Sequence, residues 1–257
     1  MDIGFHISKA PTFLLTLKRF YADPLMANMP VQIFTGSPKS WNRKTYSSDD
    51  SDIVAAKKYV QDNGLQVFAH SIYLTNLSKS PKEFSEKALP YIKQEMILGG
   101  MLGFSGVVIH CGKSLKISNA EATDNMYTNL LAIYSAIDVK CPLLLETSSG
   151  QGSEICFTYA DFSKFYKRFT ATERKYIKIC IDTCHVFAAG NDPLKFVTKW
   201  QNDHPNSLVL VHYNDSKLEF GEKKDRHALP GEGFIGKDKM AEIAKFCNKY
   251  KLPMVIE

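Results

Sequence analysis

Nowhere in the 257 residues does an apolar run approach the length of about 18 that a membrane-crossing helix needs, which argues against a transmembrane protein. The opening MDIGFHIS lacks a basic start followed by a long apolar stretch, so no secretory signal is expected. Cysteine is sparse: Cys111, Cys141, Cys156, Cys180, Cys184 and Cys247 follow no disulfide-scaffold spacing and include no CxxC pair. Several sit inside apolar runs (KICID, KFCNK), where cysteine acts as a small core residue. All six read as reduced thiols, and the protein reads as intracellular: cytoplasmic, or nuclear in a eukaryotic or viral setting. Linkers, low-complexity tracts and charge blocks are also missing, so one domain over 1–257 is expected. Disorder is excluded by 44% hydrophobic and 23% charged residues. The net charge of +5 permits nucleic-acid binding without establishing it; an ordinary soluble enzyme can be equally basic.

What is present is alternation. Eight short β-rich runs recur along the chain: DIGFHI (2–7), PVQIFT (30–35), QVFAHS (66–71), GVVIHC (106–111), LLLETS (143–148), IKICIDT (177–183), LVLVHYND (208–215) and PMVIE (253–257). Most are nearly continuously apolar, as strands buried on both faces of a parallel sheet should be. Between them lie amphipathic helical patterns, among them 82–102, 120–137 and 237–250. Pro90 is expected to break or kink the first of these. The pattern spells an α/β fold, a (βα)8 TIM barrel, without a final helix, since the eighth run ends at Glu257. Two polar stretches, 37–52 and 216–236, read as long functional loops.

The metal-competent side chains gather at one end of that frame. His70, His110, Glu146, Asp182 with His185, His212 and Glu257 close the third to eighth runs, and Asp225 and His227 follow the seventh. Barrel enzymes build their active sites at this C-terminal face. Any one of these residues has an ordinary structural explanation. Together they take five of the seven histidines and bring four carboxylates to one place, which is costly without cations. Imidazole with carboxylate suits Zn²⁺ or Mn²⁺, and nine ligands are enough for two or three ions. Such ions can hold a hydroxide nucleophile and clamp the oxygens of an in-line displacement at phosphorus.

In their contexts these residues resemble the endonuclease IV family of apurinic/apyrimidinic (AP) endonucleases, of the xylose-isomerase-like barrel superfamily. The resemblance runs over essentially the whole chain, through AHSIYLTNL (69–77), VVIHCGKS (107–114), LLLETSSGQGS (143–153), CIDTCHVFAAG (180–190), VHYNDSK (211–217), DRHALPGEGFIG (225–236) and VIE (255–257). It implies a trinuclear zinc site, three Zn²⁺ per chain, with Mn²⁺ an alternative at one position. His70 and His110 would hold one zinc, and Glu146 would bridge it to a second completed by Asp182, His212 and Glu257. His185, Asp225 and His227 would hold the third. Glu146 would be the catalytic bridging ligand, with metal-held hydroxide as nucleophile.

The resemblance further implies a monomer acting on double-stranded DNA that carries abasic or 3′-blocked lesions. It would cut 5′ to the lesion, leave a 3′-hydroxyl, and also remove 3′-blocking groups. Tyr73 matches a residue that helps fill the gap left by the flipped nucleotide. IFTGSPKSW (33–41) matches a loop entering the minor groove, with Lys39 where the family often has Arg. Gln151 matches a DNA-contacting position, and the flanking Gly150 and Gly152 suit a turn. Lys39, Arg43, Lys44, Lys113, Lys217, Lys223, Lys224 and Arg226 all fall in loops of the same face and suit phosphate contacts.

Two other readings stand beside this one. A metal-dependent sugar isomerase or epimerase on the same barrel would use a set like Glu146, Asp182, His212 and Glu257, but would not need His70, His110 and the DRH motif as well. A non-catalytic DNA- or zinc-binding protein would be expected to lack some of the nine.

Overall fold

Eight β-rich runs separated by helices form a barrel when each run hydrogen-bonds the next in parallel. The computed structural model describes residues 3–257. Asp2, which the sequence reading includes in the first strand, lies outside the described residues. The strands are β1 (Ile3–Ile7), β2 (Val31–Phe34), β3 (Val67–His70), β4 (Gly106–His110), β5 (Leu143–Glu146), β6 (Ile177–Asp182) and β7 (Leu208–His212). A short antiparallel pair follows, β8 (Asp215–Ser216) and β9 (His227–Ala228), and then β10 (Met254–Ile256). The barrel closes in the order β1-β10-β7-β6-β5-β4-β3-β2, with every pairing in it parallel.

Helices α1 (Phe13–Phe20), α2 (Ser51–Asp62), α3 (Pro81–Glu86), α4 (Ala88–Leu102), α5 (Asn119–Ile133), α6 (Tyr159–Tyr166), α7 (Thr183–Ala188), α8 (Pro193–Asp203) and α9 (Lys237–Tyr250) fill the crossovers. No helix follows β10 within the described residues, and no helix is long and apolar enough to cross a membrane. Starts follow side-chain caps: Thr12, Ser80, Ser118, Thr158 and Asp192 each accept a backbone N–H from the first turn. The break in the 82–102 pattern falls at Lys87, ahead of Pro90. Pro90 is the third residue of α4, and its ring excludes a helical carbonyl four residues back at Glu86, so the expected break falls one turn before it. The 216–236 segment, read as loop, contains β9 and the second residue of β8, whose first residue, Asp215, was read as the end of the seventh run.

Two apolar layers stabilise the barrel. One lies between strands and helices, around Phe13, Phe84, Phe162, Phe165 and Trp200. The other fills the interior with Phe68, Val108, Leu144, Cys180, Leu210 and Val255. Each of these six stands two residues before His70, His110, Glu146, Asp182, His212 or Glu257. Side chains alternate along a strand, so an inward apolar residue forces the residue two places on to point inward one layer higher. Strand period alone therefore stacks six metal-competent residues above an apolar floor.

Candidate metal centre

Register brings four of the six into pairs. His110 lies beside Glu146 across β4 and β5, and Asp182 beside His212 across β6 and β7. Glu146, fully buried, is the hub. Its Oε2 lies 3.3 Å from His70 Nε2 and 3.2 Å from His110 Nε2. Its Oε1 lies 2.9 Å from His212 Nδ1 and 3.4 Å from His185 Nδ1. His212 Nδ1 also lies 3.1 Å from Glu257 Oε2 and 3.8 Å from Asp182 Oδ2.

A third group forms where α7 meets the β8–β9 loop. Asp182 caps α7 by accepting from His185 N at 2.8 Å, which turns His185 back over the barrel mouth. His185 Nε2 then lies 3.2 Å from Asp225 Oδ2, and His227 Nε2 2.9 Å from Asp225 Oδ1. The spacing in CIDTCH is thus a capping geometry as well as a chemical signature. The loop itself is pinned by buried Asp215, whose carboxylate accepts from the backbone N–H groups of Gly231, Gly233 and Ile235. A side chain at Gly233 would stand 2.3 Å from Ser216 O and 2.5 Å from Asp215 Oδ1, so the GEG turn requires glycine there.

The outer partners aim the imidazoles. His70 Nδ1 donates to Ser71 O at 2.7 Å, which leaves Nε2 for Glu146. Gln32 Oε1 lies 2.9 Å from His212 Nε2, and its Nε2 donates to Glu257 Oε1 at 2.7 Å. Asn214 donates to Asp182 Oδ2 at 2.7 Å and accepts from Glu257 N at 2.9 Å.

Burial opposes ionisation of Glu146, yet the imidazoles of His110 and His212 hold its carboxyl well below the ordinary range. Glu257 is likewise held well below it, burial being outweighed by His212. Against burial, Asp182 and Asp225 raise His185 well above 6.5, and neighbours that include Glu257 and Glu146 do the same for His212. His110 moves the other way, lowered by its burial. Buried carboxylates that raise neighbouring imidazoles mark a centre whose negative charge calls for cations.

The donor atoms fit metal. His70, His110 and Glu146 offer ligand atoms within 4.8 Å of one another; so do Glu146, Asp182, His212 and Glu257, and so do His185, Asp225 and His227. His227 Nε2 is buried without a hydrogen bond, although Asp225 stands beside it. All nine residues expected from the sequence thus meet in three groups, two of which share Glu146.

Sequence reasoning missed several members. His6, next to last in β1, lies 3.1 Å from Glu257, and Gln32 is its register partner on β2. The signal for both was the same inward strand position; a lone Gln in an apolar run is out of place unless it serves a polar site. Cys184 lies within 4.8 Å of Asp182 and His227, and burial pushes its thiol up to about 12.

The profile of the xylose isomerase-like TIM barrel family matches residues 30–257. A probable endonuclease 4 of Symbiobacterium thermophilum is 32% identical over 262 residues, spanning all of this chain and 92% of that one. The chain belongs to the endonuclease IV family. Endonuclease IV of Thermus thermophilus superposes with a TM-score of 0.83 at 23% identity, over all of this chain and 92% of that one. A D-tagatose 3-epimerase-like protein shares the fold at a TM-score of 0.72 and 18% identity, over all of this chain and 89% of that one.

The rim of this endonuclease IV-type barrel carries the remaining expected residues. Tyr73 is 55% exposed, its ring centroid 5.7 Å from that of His70 and 5.9 Å from that of His110. Lys39 and Arg226 are exposed. Gln151 sits between Gly150 and Gly152, both in the left-handed region, and its side-chain oxygen accepts from Asp225 N at 3.2 Å. Arg43 is engaged within the protein, donating to Tyr91 O and lying 4.8 Å over the Tyr91 ring.

Proposed function

We propose that this protein is a DNA-repair hydrolase that cuts the phosphodiester 5′ to an abasic site, leaving a 3′-hydroxyl, and also removes 3′-blocking groups. We infer three zinc ions per chain, with Mn²⁺ an alternative at one, and action as a monomer. The observation that carries the reading is the sharing of Glu146 between two donor groups, with a third group beside them on the same rim. Membership of the endonuclease IV family supports it. His70 and His110 would hold the first zinc, and Asp182, His212 and Glu257 the second. Glu146 would stand between them, and His185, Asp225 and His227 would hold the third. Bound zinc would ionise water near neutral pH and offset the charge gathering on the phosphoryl oxygens.

The chain's own residues supply the rest. Glu146 presents one oxygen to each of two groups. Gln32 and Asn214 fix the orientation of His212, Asp182 and Glu257, so the donors need no rearrangement on binding. Tyr73 offers an exposed aromatic face at the mouth, suited to the gap a displaced nucleotide leaves. Lys39 and Arg226 can reach phosphates, and Gln151 meets the duplex from the β5 side while steadying Asp225.

A sugar isomerase or epimerase remains the second reading, because Glu146, Asp182, His212 and Glu257 form a group by themselves. It leaves the other two groups without a task. The deciding experiment is incision of a labelled duplex carrying one abasic-site analogue, beside an intact duplex, before and after chelation and zinc return. Metal-dependent cleavage 5′ to the analogue is expected. A zinc-loaded protein that leaves the duplex whole would overturn the reading.

A further inference from the structure

Helix α4 packs against the barrel through Tyr91, Ile92, Met96 and Gly99, and in that buried surface it carries a carboxylate, Glu95. Glu95 is fully buried, and no acid is tolerated there unless its oxygens find donors. Both do: Oε1 accepts from Thr35 Oγ1 at 2.9 Å and Oε2 from Ser71 Oγ at 2.6 Å. Burial pushes the Glu95 carboxyl up, and the Ser71 hydroxyl, Arg43 and Thr35 oppose that.

The two donors have a common position. Thr35 is the first residue after β2 and Ser71 the first after β3. Thr35 opens the segment leading to Lys39 and Trp41, and Ser71 lies two residues before Tyr73. The departing segments meet again where Tyr73 N donates to Pro38 O at 3.1 Å. One turn earlier on the same face of α4, Tyr91 takes Trp41 edge-on at 5.6 Å and Arg43 over its ring. Helix α4 therefore grips both segments at their roots through Glu95 and one of them further out through Tyr91.

We propose that Glu95 is the positioning residue for the lesion-facing rim: through Thr35 and Ser71 it fixes how the 35–46 segment and Tyr73 leave the barrel, and so sets affinity for damaged duplex. The inference rests on the proposed function only in taking that rim as the surface that meets DNA. A carboxylate lets both hydroxyls donate, whereas an amide accepts from one and forces the other to turn and accept.

The test compares wild type with Glu95→Gln, Thr35→Val, Ser71→Ala and the pairwise doubles. Amide hydrogen exchange is followed by mass spectrometry, and kcat, KM and zinc content are measured with the abasic-analogue duplex. Exchange should quicken in 35–46 and 71–77 while β5, β6 and β7 stay protected. KM should rise about tenfold in Glu95→Gln with kcat within about twofold, since a misplaced rim weakens binding without removing a reacting group. Zinc content should hold. The two doubles that contain Glu95→Gln should be less than additive, the mark of residues acting through a shared contact.

Unchanged exchange in both segments would overturn the inference, as would full additivity in the two doubles that contain Glu95→Gln, or a fall in kcat with zinc loss and KM held. If Glu95→Gln does not fold, Thr35→Val and Ser71→Ala carry the exchange test alone. The exchange result stands whether or not the wild-type protein cuts the duplex, so failure of the proposed function is distinguished from failure of this inference.

Discussion

Each imidazole in the centre has two nitrogens, and the neighbour of one decides the task of the other. Gln32 Oε1 lies 2.9 Å from His212 Nε2, so His212 Nδ1 is turned toward Glu146 and Glu257. Gln32→Leu should therefore weaken metal binding by about 10–100-fold, measured by competition with a chromophoric chelator. An unchanged affinity would mean that packing alone orients the ring. Glu146→Gln should cut turnover by about a thousandfold or more, because one substitution damages two donor groups. Near-wild-type rates would remove Glu146 from the hub.

The metal-free protein offers a pH test at the same scale. His185 and His212 have raised pKa values in the fold, so their stabilisation is fully present below 6.5 and is lost as pH rises through the folded values. Glu146 and Glu257 have depressed ones, so theirs is present above 4.5 and is lost as pH falls through the folded values. The metal-free chain should be most stable between those limits, and its melting temperature should fall from pH 6 to pH 9. A rise over that interval would contradict the assignment of protonated His185 and His212.

Elements convert those residues into a site. The eight strands were legible because parallel strands buried on both faces read as apolar runs, and acid or imidazole marks the ends of six of them, although the seventh run was read three residues beyond His212. The β8–β9 pair was not: two residues on each side carry no period, and what holds them is Asp215 gathering backbone N–H groups. The turn gives a sharp prediction. Gly233→Ala drives a methyl into Ser216 O and Asp215, so the loop bearing Asp225 and His227 should loosen. Metal analysis should find about one of the three proposed ions lost, and proteases should cut within 217–236. A fully loaded, protease-resistant variant would show that the loop holds its place without Asp215.

At the scale of the molecule, charge is distributed unevenly by function. Glu146, Asp182 and Glu257 close strands in the mouth with Asp225 beside them on its loop, while Lys39, Lys217, Lys223, Lys224 and Arg226 stand exposed in the loops around it. Arg43 is removed from that count by Tyr91, and Lys113 and Lys224 are partly neutralised by Glu154 at 3.4 Å and Glu222 at 3.6 Å. With about five cations at phosphates, affinity for abasic duplex should fall on the order of a hundredfold or more between 50 and 200 mM salt. Binding measured by fluorescence anisotropy over that range checks it; a flat response would place the duplex elsewhere.

The sequence by itself determined the barrel, the rim and the nine metal-competent residues, because strand period and residue chemistry are both local: a residue two places beyond an inward apolar one must also face inward. Which of the nine meet, with Glu146 common to two groups, was available beforehand only through resemblance; the tertiary structure supplies the geometry, and it alone brings His6, Gln32 and Asn214 beside them. Those facts arise from register between strands and from helix packing on the sheet, which join residues as far apart as His6 and Glu257 and leave no mark in any stretch of chain short enough to read as a motif.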